Sequence, residues 1–285
     1  MVRGLSRRGF PLECRCGTSA VVSMQFVATD QDWMDEIRLD PGSPWLQMGT
    51  RQLGARPWLI FDEKRLGELA LKHRLLADIT DDVLIEPKHA EAAGQEALQL
   101  VEASVEAAGH TLDQRQQLDE LIQAGFVDSA RGPQTASDVE NGASPMTPLD
   151  RAGRIVQEDL CLLERSSDGW LLQAASLCFP SRWRLRDKIG RPLGEVHGPV
   201  PGYEDVLRSR VDGLLDRLKD QVVWRRNWFI HPNSDLYQPE YPEHGDPLVA
   251  SDRCGEALFL RSERQTLRRL PKSQWVLFTL SLIHI

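Results

Sequence analysis

His197 stands alone in a loop, Glu195-Val196-His197-Gly198-Pro199-Val200-Pro201-Gly202-Tyr203. Two prolines stiffen the loop and two glycines loosen it. Just upstream lie Arg182, Arg184, Arg186, Lys188 and Arg191, with Asp187 among them. A neutral imidazole is a common iron ligand. Cations pair with carboxylates, bidentately where the cation is arginine. Phe179, Trp183 and Tyr203 supply flat apolar faces. These residue types suit a flat, anionic metal cofactor, and we read the stretch as a haem site. The plain alternative is a histidine that caps a helix beginning near Glu204, beside a solvated basic loop. The residues alone leave both readings open.

Two further clusters carry charge. In Arg261-Ser262-Glu263-Arg264-Gln265-Thr266-Leu267-Arg268-Arg269-Leu270-Pro271-Lys272, Arg261, Arg264 and Arg268 share one face if the segment is helical. Such a face suits an anionic ligand or an acidic partner, or is simply a polar helix against a short sheet. In Trp224-Arg225-Arg226-Asn227-Trp228 aromatic and basic residues alternate. That pattern can stack on single-stranded nucleic acid, but in a strand it means one buried and one wet face. His231 and His244 flank Asp235, Glu240 and Glu243, a nominal metal set on a proline-rich loop. Dinucleotide, phosphate-loop, zinc-protease and serine-hydrolase motifs are absent from the sequence.

The elements that must position these residues follow from periodicity. Helices are expected over 63–77, over 88–109 with Gly109 as its stop, and over Gln114 to Ala124. His73 reads as a helix residue, not a ligand. Residues 128–148 are rich in Asp, Ser, Gly, Pro and Thr, and read as a linker. Asp159 to Arg165 and Trp170 to Phe179 read as a hairpin around Asp168-Gly169. Asp205 to Asp220 reads as an amphipathic helix. Trp224 to Ile230 reads as a strand, Ala257 to Arg261 as another, Glu263 to Leu270 as a short helix, and Trp275 to Leu280 as a last strand. Trp58-Leu59-Ile60-Phe61-Asp62 reads as a buried strand or anchoring loop. The expected class is α+β, an antiparallel sheet with helices on one side and a helical N-terminal part.

The chain has 285 residues, 41% hydrophobic and 27% charged, with a net charge of −8. That balance speaks against nucleic acid as the main partner. No apolar run approaches the roughly 20 residues of a membrane span. The five cysteines are scattered without a repeated spacing. Free thiols in a reducing, cytoplasmic compartment are expected. Residues 1–23 are basic and unlike the rest. They are expected to be a non-native or disordered extension, with Met24 as the true start. Leu280-Ser281-Leu282-Ile283-His284-Ile285 matches the translation of a transposon-end adapter used in sequencing libraries. Residues 280–285 are therefore expected to be artefactual, and His284 is left out of any site. One domain is expected over 24–279.

Several motifs resemble one family. Cys178-Phe179-Pro180-Ser181-x-Trp183, Lys188-x-Gly190-x-x-Leu193 and His197-x-Pro199-Val200-Pro201-x-Tyr203 resemble the haem-dependent oxidative N-demethylases. So do Glu263-Arg264-Gln265-Thr266-Leu267-x-Arg269-Leu270-Pro271, Trp45-Leu46-x-Met48-Gly49 and Trp58-Leu59-x-x-Asp62. The likeness spans Trp45 to Thr279. It is similar to dimethylamine monooxygenase catalytic subunits.

The resemblance implies a PAS-like sheet, a haem b cofactor and His197 as axial iron ligand. It implies dioxygen-dependent conversion of a small secondary amine, such as dimethylamine, to a primary amine and formaldehyde. Electrons would come from NADPH through a separate reductase bearing flavin and an iron–sulfur centre. Arg182, Arg184 and Lys188 are expected around the haem carboxylates, and Trp183 against its face. Tyr203, Glu263 and Arg264 are the candidates for proton donor. The competing expectations are a PAS-like haem or small-ligand sensor without turnover, and an interaction protein whose motifs define only its core.

Overall fold

Residues 159–176 begin the sheet, because apolar residues alternate on both sides of an Asp-Gly turn. In the computed structural model, which describes residues 48–112, 146–198, 200, 202–243 and 245–284, they form β3 (Asp159–Ser166) and β4 (Gly169–Ser176). Gly169 takes φ 114°, which a side chain would resist. The other strands are β1 (Arg51–Gln52), β2 (Leu84–Ile85), β5 (Val223–His231), β6 (Phe259–Arg269) and β7 (Val276–His284). All seven lie in one sheet, in the order β1-β5-β6-β7-β3-β4-β2, with every pairing antiparallel. The fold is α+β.

Helices cover both faces, not one. On the outer face, the helix over Glu91–Ala107 buries Ala93, Ala97, Leu98, Val101 and Val105. Gly109, at φ 77°, ends it as expected. These residues meet Leu160, Leu162, Trp224 and Leu277 of the sheet, with Trp58 and Leu59 from an anchoring loop. On the inner face, Cys161, Leu163, Leu172 and Val276 pack under Leu185, Leu193, Leu215 and Leu218. Leu215 belongs to a helix over Arg208–Arg217, shorter than expected because a π-type turn occupies Tyr203–Leu207. The helix α1 (Arg65–Asp78) closes a third apolar cluster with Phe179 and Leu282.

One expected element is corrected. Glu263 to Leu270 is not a helix but most of β6. It pairs with β5 on one side and β7 on the other. Tertiary pairing overrides the helical spacing of its arginines, because both strand edges find partners. The extension over 1–23, the helix over Gln114 to Ala124 and residues 128–145 of the linker lie outside the described residues. Strand β7 runs through Leu280, Ser281 and Leu282.

Candidate functional site

The loop before His197 is fixed from below. Asp159 opens β3 with its carboxylate turned inward, where it accepts from Cys178 N and Phe179 N, both at 2.8 Å. Arg261 is fully buried and donates to four carbonyls, those of Phe179 (2.6 Å), Pro180 (3.3 Å), Asp235 (3.2 Å) and Leu236 (3.1 Å). The Cys178-Phe179-Pro180 motif is therefore a clamp. At its end Arg182 takes φ 61°, an uncommon value for a residue with a side chain.

His197 follows the short helix Leu193–Val196. Its Nδ1 lies 2.8 Å from the Leu193 carbonyl oxygen. A carbonyl only accepts, so Nδ1 carries the hydrogen and Nε2 keeps the lone pair. Burial pushes the imidazole below its usual pKa, and the charges of Arg225 and Lys188 push the same way. The ring is thus neutral near pH 7, with Nε2 as its basic atom. Tyr203 stacks flat on it, with ring centroids 4.5 Å apart and planes 10° from parallel. Burial raises the Tyr203 phenol to about 12, so it remains an O–H. Lys188 donates to Val196 O at 2.6 Å and braces the turn beside His197. Pro199 and Pro201 lie outside the described residues.

Beneath this loop the inner face changes character. It is apolar through Leu267, Phe278 and Leu280, but Arg225 faces Gln265 across β5 and β6, and Asn227 faces Glu263. Burial raises the Glu263 carboxyl, while Arg261, Gln265 and Arg225 act to lower it. Its Oε2 accepts from Gln265 Nε2 at 3.0 Å. Arg225 is the junction: its charge acts on His197, Tyr203 and Glu263 alike. Its Nε is buried with no partner among the described residues. Its Nη1 donates to Met48 O at 3.3 Å, and the unmet Nε of this half-buried cation suits an anionic ligand.

The donor set therefore fits haem: one imidazole with a bare Nε2, and Lys188 and Arg225 as nearby cations. The other expected cations are engaged by partners of their own. Arg182 is paired bidentately with Asp246 and stacks on Tyr241. Arg184 is paired with Glu240. Trp183 packs against the inner-face cluster that includes Leu193 and lines a cavity of about 200 Å³ with Asp82, Arg186 and Tyr237. Arg264 follows Glu263 in the strand, so it faces outward and donates to Trp58 O at 2.9 Å. His231 is engaged at both nitrogens, by Gln238 at 2.9 Å and Ser181 at 3.3 Å, and no group of three or more acidic, His or Cys residues among the described ones is placed to hold a metal. His244 lies outside the described residues. Arg225 is the residue that the motif reading missed. The alternation of Trp224 to Trp228 showed two faces but not which one is interior.

The expected family is borne out across most of the chain. A family model described as haem-dependent oxidative N-demethylase, alpha subunit-like, matches residues 49–284, and the chain belongs to that family.

Proposed function

We propose that the protein is the haem-bearing subunit of an oxidative N-demethylase that acts on a small secondary amine such as dimethylamine. The reaction balances as secondary methylamine, dioxygen, two electrons and two protons giving primary amine, formaldehyde and water. Haem b, when bound, supplies the oxygen-activating iron. His197 presents Nε2 to that iron, and the Leu193 carbonyl fixes its tautomer and angle. Tyr203 holds the imidazole plane by stacking. Lys188 and Arg225 meet the cofactor's carboxylates. Glu263 and the Tyr203 phenol are the groups placed to hold or pass a proton. Arg182 and Arg184 contribute by folding the loop through Asp246 and Glu240, and Arg264 by holding the Trp58 loop. The observation that carries this reading is the bare Nε2 of a neutral, braced imidazole above a polar strip in an apolar sheet face.

The sheet supports a PAS-like description. Counted in chain order, its five long strands lie 2-1-5-4-3, with residues 177–222 crossing between the second and third. Two electrons per turnover call for a separate reductase, which flavin and iron–sulfur chemistry would serve. Buried, unpaired Cys161 and Cys178 support a reducing, cytoplasmic setting. No helix among the described residues is long and apolar enough to cross a membrane.

The test is purified protein reconstituted with haem, supplied with electrons, dioxygen and dimethylamine. A Soret band plus formaldehyde is expected. A band without formaldehyde would make the protein a haem sensor, and neither would leave only an interaction protein.

A further inference from the structure

The outer face of β5 and β6 carries a second charged cluster, which the haem site does not use. The guanidinium groups of Arg51, Arg56 and Arg264 stack over the Trp224 ring, at 5.9, 4.9 and 5.8 Å from its centroid. Arg268 lies 4.7 Å over Trp58. Arg226 stands on the same face, directly opposite Arg264. Arg51 and Arg56 are exposed, and Arg226 and Arg268 half-buried. Stacking orders these planes before any partner arrives, which lowers the entropy cost of docking on them. Five arginines are thus gathered on one face of a chain that carries −8 overall.

The position of the cluster gives it meaning. Trp224 and Arg225 are consecutive in a strand and point to opposite faces. Trp224 lies in the outer core beneath the arginines, while Arg225 lies on the inner face, where its charge reaches His197 and Tyr203. One strand separates the two. The reaction proposed above consumes two electrons per turnover, and a haem iron takes them singly.

We propose that this arginine face is the docking surface for an acidic electron-carrier protein, which delivers electrons across β5. The proposal rests on the haem reading. In each transfer the carrier is oxidised by one electron and the haem iron is reduced from ferric to ferrous. Opposite charge speeds encounter, and salt weakens it.

The test uses the full chain loaded with haem, and a reduced acidic [2Fe–2S] ferredoxin as the probe. Haem reduction is followed by stopped-flow absorbance. Wild type is compared with R51E/R56E and with R210E/R217E, which has the same net charge and alters the exposed side of the helix over the inner face. R51E/R56E is expected to slow reduction by about tenfold or more at low salt. R210E/R217E is expected to stay within about twofold of wild type, and the wild-type rate to fall as salt rises. Dithionite, a small reductant that needs no docking face, should reduce all three at rates within about twofold of one another. Equal ferredoxin rates in the two double variants would overturn the docking face while the Soret band still stood. A chain without a Soret band would overturn the haem reading, and this proposal with it.

Discussion

At His197 a backbone carbonyl decides the chemistry of the ring. The Leu193 oxygen takes the Nδ1 hydrogen, and Nε2 is left to bind. Arg225 has the opposite character, a half-buried cation with one donor unmet. In the absence of haem that is a liability, and with an anionic ligand it becomes an attraction. The variant Arg225→Met is therefore expected to leave the apo protein as stable as wild type, or up to ~1 kcal/mol more stable. It is also expected to release haem about tenfold faster to an excess of apomyoglobin, as the loss of one charge-assisted contact implies. An apo protein that unfolds more readily, with haem release unchanged, would make Arg225 a structural residue. His197 was singled out in the sequence because its loop has a distinct composition. Arg225 was not, because a strand's alternation does not say which face is inside until its neighbours are known.

The strand β6 explains why several charged residues were misplaced in the sequence reading. Arg261, Arg264 and Arg268 fit a helical stripe, yet the segment lies between two long strands. Arg261 and Glu263 face inward, and Arg264 and Arg268 outward toward the tryptophans. A strand with charges buried on both faces gives no clean period of two, so the local pattern misleads. The hairpin β3–β4 was readable because its alternation is apolar and its Asp-Gly turn is specific. At this scale Arg261 is the staple, holding two loop segments to the sheet. Arg261→Leu removes a buried donor from four carbonyls and is expected to destabilise the protein by roughly 3–5 kcal/mol. A urea midpoint within error of wild type would contradict this. The conservative Arg261→Lys should recover only part of the loss, since an ammonium lacks the planar fork.

Across the whole molecule, burial sets a pH response away from the proposed haem site. Glu68 and Glu158 are buried, and mainly for that reason their carboxyls rise to about 7 from an ordinary 4.5. The folded state keeps their protons after the unfolded state has lost them. Their contribution is fully present below about pH 4.5 and is lost as pH rises through about 7. His73 is shifted by burial the other way, to about 4, so it contributes above 6.5 and loses that share as pH falls. The total slope mixes these signs, and a substitution isolates one. Glu68→Gln mimics the neutral acid that accepts from Gln157. It is expected to match wild type at pH 5 and to exceed it at pH 8, by an amount on the order of 3 kcal/mol at most. Urea midpoints at the two pH values check this, and a variant less stable at pH 8 would reverse the sign.

The most direct measurement of the central claim is the ultraviolet–visible spectrum of the haem-loaded protein beside that of His197→Ala. His197 as the iron ligand requires a Soret band in wild type and its loss or displacement in the variant, with recovery when imidazole is added. An unchanged band in a folded His197→Ala protein would place the iron on another residue and contradict the site described above.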